Sequence, residues 1–252
     1  MNLLKGVPRL ASASLDLLFP PRCVGCDKDG QLLCSPCRAS LSHLPPPYCL
    51  RCAQPISYGD TCQRCMASPL AIDGIRAPFL MEGAIREAVH RLKYYNLRTL
   101  APLLGALLAD SLISQAVPVT ALVPVPLHRR RERQRGYNQA CLLAREAGKS
   151  LGLPVIPHAL SRIKDTSPQV KSPGAEERRA NVRDAFRCLH PSLVEGMAVA
   201  VVDDVCTTGA TLESCAMALK EAGAASVWGV TLAREPLSRS HGLLRGEPPS
   251  GV

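Results

Sequence analysis

The 252-residue chain has no apolar run long enough to cross a membrane. Its most apolar segment, LAPLLGALLADSLI from Leu100 to Ile113, is broken by Pro102, Gly105 and Asp110 and falls short of the roughly 20 residues that a spanning helix needs. It reads instead as a buried amphipathic helix. The first residues, MNLLKGVPRLASASLDLLFPP, start basic, but Pro8 and Asp16 interrupt the apolar core of a secretory leader. A cytoplasmic protein without a membrane span is the expectation. Aromatic residues are scarce (4%, with one Trp) and prolines number 22, which together describe a light core and many loops. Two nucleotide-binding loops are missing as well. Neither G-x-x-x-x-G-K-[ST] nor G-x-G-x-x-G occurs, which removes the P-loop triphosphatases and the dinucleotide-binding fingerprint.

Positive charge and cysteine are what the chain has in excess. Thirty Lys and Arg against 21 Asp and Glu give a formal charge of +9, which favours phosphates, nucleic acid or an acidic membrane surface as partners. The excess is concentrated between Ala121 and Ser150, where seven basic residues face only Glu132 and Glu146. Arg129, Arg130, Arg131, Arg133 and Arg135 form its centre. A solvated helix face is the plain alternative for such a run.

Eight of the 12 cysteines lie in residues 23 to 65 as four C-x-x-C knuckles: Cys23 and Cys26, Cys34 and Cys37, Cys49 and Cys52, Cys62 and Cys65. One knuckle turns two thiolates toward a common ion, and two knuckles complete the tetrahedral four-thiolate shell that zinc prefers. Up to two structural zinc ions follow. A disulfide framework needs an oxidising compartment, and a redox C-x-x-C does not come in fours. Only seven residues separate the first knuckle from the second and nine the third from the fourth, so interleaved pairing competes with sequential pairing; the sequential arrangement is the expectation. Few apolar residues lie in this segment, so metal binding should supply most of its folding energy.

From about Ile72 regular periods appear. Ile85, Val89 and Leu92 mark one helix face. ALVPVP (Ala121 to Pro126) reads as a buried strand, YNQACLLAREAGKSLG as a helix ending at Gly152, and the polar stretch from Ser161 to Ala185 as a long loop. MAVAVV (Met197 to Val202), TLESCAMALKEAG and SVWGVTL add strand, helix and strand. This alternation predicts a parallel α/β sheet, whose ligands bind beyond the carboxyl ends of its strands. There the sequence puts Asp203 and Asp204, then Thr207, Thr208, Gly209, Ala210 and Thr211. Turn amides, hydroxyls and a helix N-terminus suit a phosphate monoester, and the two acids suit ribose hydroxyls, directly or through magnesium. A lone helix cap would account for one acid but not for two acids with a hydroxyl run.

VAVVDDVCTTGAT resembles the phosphoribosyl pyrophosphate (PRPP) signature of the type I phosphoribosyltransferases, departing at Cys206, where an aliphatic residue is usual. VPVPLHRRRERQRGYNQA, LKYYN in place of LKYRG, DTSPQ with ERRANVRDAF, and LLFPPRCVGC with its knuckles resemble the ComF family, which includes competence-associated and GntX proteins. The resemblance implies a type I phosphoribosyltransferase-like parallel sheet flanked by helices, preceded by a small zinc-ribbon domain. Its expected divisions are residues 1–68, 69–236 and a disordered tail at 237–252. It also implies PRPP with magnesium, or another ribose 5-phosphate ligand, as the partner of Asp203, Asp204 and Thr207 to Thr211.

Arg129, Arg131 and Arg135 are placed to face the leaving pyrophosphate, since guanidinium groups hold phosphate oxygens bidentately. Gln169, Arg178 and Asn181 sit on the loop expected to cover the site. No catalytic base is identifiable. The family's association with competence implies a part in processing incoming DNA, with DNA-uptake machinery as a partner class. The rival expectation is a zinc-containing single-stranded DNA-binding factor that uses the pocket as a sensor.

Overall fold

The computed structural model describes residues 20–68, 70–164 and 185–235. The knuckle segment carries two short helices, α1 (Ser35–Ala39) and α2 (Gln63–Ala67), each following a cysteine. Then come the edge strands β1 (Gly74–Arg76) and β2 (Phe79–Leu80), and helices α3 (Gly83–Tyr94) and α4 (Ala101–Ser114). Strand β3 (Ala121–Pro124) leads to a short helix α5 (Arg129–Arg135) and to α6 (Gln139–Leu151). A hairpin of β4 (Leu160–Arg162) and β5 (Phe186–Cys188) precedes β6 (Ala198–Cys206), α7 (Ala210–Glu221) and β7 (Ser226–Arg234).

The main sheet is parallel in the order β1-β7-β6-β3, with β2 continuing along the same side of β7 as β1. Its strands are buried on both faces, which is why the central ones read as continuous apolar runs. Side chains alternate between two cores. Val123, Val199, Val201 and Val227 meet Leu212, Cys215 and Leu219 of α7 on one face. Leu122, Ala200, Val202 and Leu232 meet α4 and α6 on the other, through Leu104, Leu108, Leu143 and Ala147. Helices α4 and α6 come close at Gly105, where an added Cβ would stand 2.4 Å from Glu146 Cβ and 3.0 Å from Ala147 N.

The face expected for α3 is buried as a unit: Ile85, Val89 and Leu92. In α4, Pro102 starts the helix instead of breaking it, as proline can in a first turn whose N–H groups lack partners. Gly152 ends α6 with φ +66°, and Gly223 follows α7 with φ +89°. Among the described residues no helix is long and apolar enough to cross a membrane.

One expectation is corrected. Ser161 and Arg162 are not loop: they belong to β4, which pairs antiparallel with β5, and the Ile163 amide adds a 2.8 Å bond to the Ala185 carbonyl. The few apolar residues of the knuckle segment find their core in the sheet domain. Val24, Leu33 and Leu41 are buried with α3 and α4, whereas Leu44 and Ala53 are buried with α7, so it borrows both cores of the sheet domain.

Candidate functional site

The strands β3, β6 and β7 end on the same side of the sheet, and a cleft of about 1020 Å³ opens there. Its cations come from three elements: Arg86 and Lys93 of α3, Arg131 and Arg135 of α5, and Arg162 of β4, while the acid pair Asp203 and Asp204 belongs to a fourth, β6. Helix α5 starts behind His128, whose Nδ1 accepts from the Arg130 amide (3.4 Å), and stops at Gly136 (φ +79°). One turn separates Arg131 from Arg135, so both reach the cleft, whereas Arg129, Arg130 and Arg133 are exposed.

The chain after α5 is locked in place. Asn138 caps α6 by accepting from Ala140 N (2.9 Å) and Cys141 N (3.3 Å), and its side-chain amide donates to the Val125 carbonyl at 2.9 Å. Gln139 Oε1 accepts from Arg135, and the Tyr137 hydroxyl donates to the Leu92 carbonyl, beside Lys93. The RGYNQ stretch thus aims Arg135 and ties α6 to both α3 and β3.

Asp204 is 3% exposed. One carboxylate oxygen meets Lys93 Nζ at 2.9 Å; the other, Oδ2, has no hydrogen-bond partner among the described residues. A buried carboxylate oxygen without a partner costs free energy, and a bound hydroxyl or cation would relieve it. Asp203, half-buried beside it, accepts from the Asp204 amide at 2.9 Å. Loss of water, then the neighbouring Asp204 charge, pushes its carboxyl up to about 7 against the opposing pull of Lys93. Lys93 is itself held charged: burial disfavours its cation, but the Asp204 and Asp203 carboxylates outweigh burial and raise its pKa.

Beyond the acids, Thr207 and Thr211 line the cleft. Thr208 is buried, and its hydroxyl accepts from the Ala210 amide (3.3 Å) at the start of α7. Gly209 has φ +81°, and an added Cβ would approach Ile75 Cδ1 to 3.2 Å, so a side chain there meets both strain and crowding. Glu213 in the first turn of α7 accepts from the amides of Ala71 (2.7 Å) and Ile72 (3.2 Å), which fixes the helix start to the chain entering β1. The result is a hydroxyl-bearing turn leading into a helix N-terminus, an arrangement suited to an anion.

The knuckles pair sequentially. Cys23, Cys26, Cys34 and Cys37 form one group and Cys49, Cys52, Cys62 and Cys65 the other, with all sulfurs of a group within 4.8 Å. Several Sγ pairs lie 3.5 to 3.7 Å apart. A tetrahedral zinc with bonds of about 2.3 Å needs edges of about 3.8 Å, so both groups fit that ion. The crowded thiols split in acidity. Cys23 falls to about 6: burial opposes ionisation, but the amides of Cys34, Gly25 and Cys26 overcome it. Cys52 falls to about 5, first through a hydrogen bond with Cys65 and then through the Arg234 and Arg64 charges. Hydrogen bonds to neighbouring thiols and burial raise Cys37 to about 12, and the same causes raise Cys65. A cation resolves this conflict by taking all four as thiolates.

Of the expected site residues, Asp203, Asp204, Thr207, Thr211, Arg131 and Arg135 share the cleft lining. Thr208, Gly209 and Ala210 shape the turn from behind, and Arg129 lies outside the lining. Gln169, Arg178 and Asn181 fall outside the described residues. Sequence reasoning did not select Lys93, Arg86 or Arg162. For Lys93 the LKYYN stretch offered a signal, since it stood out as a motif without an assigned role; the other two are isolated arginines with none.

A double zinc ribbon domain matches residues 14–66, and a phosphoribosyl transferase domain matches residues 135–242. Competence protein F of Haemophilus influenzae is 31% identical over 230 residues, covering 85% of this chain and 98% of that protein. Competence protein ComFC of Bacillus subtilis is 30% identical over 82% of this chain and 86% of that one. DNA utilization protein YhgH of Escherichia coli K12 is 30% identical over 77% and 87%. Among solved structures, glutamine PRPP amidotransferase from B. subtilis, complexed with ADP and GMP, aligns with a TM-score of 0.38 and 21% identity over 58% of this chain and 32% of that one. Nearly end-to-end similarity to competence protein F, in a chain that carries both the double zinc ribbon and the phosphoribosyl transferase domain, makes it a member of the ComF family.

Proposed function

We propose that the cleft binds PRPP with magnesium through the ribose 5-phosphate half of the ligand, and that the protein handles incoming DNA, as the names of its relatives suggest for them. Asp203 and Asp204 take the ribose hydroxyls, the Thr207 to Thr211 turn and the α7 N-terminus take the 5′-phosphate, and Arg131 and Arg135 face the pyrophosphate with Lys93. The observation that carries this assignment is the buried Asp204 Oδ2, without a hydrogen-bond partner among the described residues, in a cleft that also holds five cations and the hydroxyl turn.

Transfer from such a complex needs little covalent help from the protein. The bond between the anomeric carbon and pyrophosphate breaks, pyrophosphate leaves with the electron pair, and the acceptor supplies the new bond. Arginines neutralise the leaving charge while the acids hold the sugar as it becomes oxocarbenium-like, so positioning and electrostatics do the work. Magnesium, when bound, supplies charge neutralisation on the pyrophosphate oxygens. The acid pair and the unpartnered carboxylate oxygen suit a ligand of hydroxyls and a hydrated cation.

A second function, single-stranded DNA binding with the cleft as a sensor, is favoured by one surface. Tyr94, which lines the cleft, and the following Tyr95 are 66% and 69% exposed, and Arg135 lies 5.6 Å from the Tyr94 ring centre. Exposed rings with arginines are a stacking platform for bases. A screen for pyrophosphate release from PRPP and magnesium, against amines, nucleobases and single-stranded DNA, separates the two. Acceptor-dependent release supports transfer; silence together with retained PRPP binding supports the sensor.

A further inference from the structure

Arg234, the last residue of β7, is 0% exposed. A buried guanidinium is costly unless its donors are used. One nitrogen, Nη1, donates to Cys206 Sγ at 2.8 Å and to the Thr207 carbonyl; Nη2 donates to Gln54 Oε1 at 3.0 Å. These acceptors belong to different parts of the molecule. Cys206 and Thr207 begin the hydroxyl turn, whereas Gln54 lies just past Cys52 in the second knuckle group. Gln54 is buried, and its carbonyl accepts from the Cys49 amide at 2.8 Å, so its position is set by the knuckle that carries Cys49 and Cys52.

Neither Arg234 nor Gln54 lines the cleft. The guanidinium therefore holds the Thr207 carbonyl from outside the cleft lining. In a planar trans peptide the next N–H points opposite to that carbonyl, so holding the Thr207 carbonyl also fixes the direction of the Thr208 amide in the turn. Cys206 gains a role here as well: a thiol accepts from the guanidinium, which an aliphatic side chain at that position does not.

We propose that Arg234, held by Gln54, is a positioning residue that makes the second zinc ribbon part of the phosphate cradle, so that the metal-ordered knuckle and a bound 5′-phosphate strengthen each other. This rests on the assignment of the cleft as a ribose 5-phosphate site. The link belongs to the Cys49–Cys65 group; the Cys23–Cys37 group packs with α3 and α4 on the other face of the sheet. By thermodynamic reciprocity, a ligand that gains affinity from the ordered ribbon must also protect it.

The test uses the full-length, zinc-loaded protein with ribose 5-phosphate as the probe. Gln54→Leu removes the acceptor, and Gln54→Glu keeps one. Calorimetry should show Gln54→Leu binding about tenfold more weakly and Gln54→Glu within about twofold of wild type, with unchanged zinc content by elemental analysis. In a chelator challenge, ribose 5-phosphate should slow the release of one zinc equivalent of the wild type and leave release from Gln54→Leu unaffected. A purely structural glutamine would not create that ligand-dependent difference. Equal affinities for wild type and Gln54→Leu, or zinc release blind to the ligand in a wild type that binds it, would overturn the coupling alone. Failure of the wild type to bind ribose 5-phosphate would overturn the cleft assignment and the coupling with it.

Discussion

At the scale of single residues, the acid pair sets the chemistry. The Asp203 carboxyl moves from 3.8 to about 7 in the folded protein, chiefly through loss of water. Its folded form holds a proton more tightly than its unfolded form, so the stability present below about pH 4 is lost as pH rises toward about 7. Denaturation midpoints of the wild type should fall across that window, and Asp203→Asn should flatten the slope. Lys93→Met should cost on the order of 3 kcal/mol, because it strands the buried Asp204 charge. Chemical denaturation measures that loss, and Lys93→Met paired with Asp204→Asn should recover much of it. Asp203, Asp204, Thr207 and Thr211 were legible because a strand, two acids and a hydroxyl turn are contiguous in sequence. Lys93 was not, because its pairing depends on α3 lying across the end of β6, which no local pattern encodes.

At the scale of elements, the long strands and helices followed directly from their apolar periods, while β1, β2, β4 and β5 did not. Each has only two or three residues, too few for an alternation to show, and each is a strand only because β7 or its hairpin partner supplies hydrogen bonds. The α4–α6 contact at Gly105 was equally hidden: the glycine looked like an interruption in an apolar run, but it is where two helices meet. Gly105→Ala forces a Cβ against Glu146 Cβ and the Ala147 backbone and should destabilise the protein by about 1–3 kcal/mol. A urea titration would show it as a lower midpoint with an unchanged slope.

At the scale of the whole molecule, the ribbons are built into the sheet domain. The four knuckles announced zinc and a small ribbon domain by spacing alone, whereas the cores that this segment shares with the sheet domain leave no local trace in the sequence. Chelation should therefore disturb more than the knuckles. Trp228 is the reporter: Arg76 lies 4.7 Å from its ring centre and donates to the Leu50 carbonyl of the second ribbon at 2.8 Å. Zinc removal should shift the Trp228 emission and lower the thermal midpoint of the whole chain; an unchanged emission and midpoint would show independent units. The most direct test of the central claim is calorimetry of the zinc-loaded protein with PRPP and magnesium. Wild type should bind, and the Asp203→Asn, Asp204→Asn double variant should lose about a hundredfold or more in affinity, because charge-assisted hydrogen bonds to two ribose hydroxyls disappear. No binding by the wild type, or equal binding by the double variant, would contradict the assignment of this cleft to a ribose phosphate.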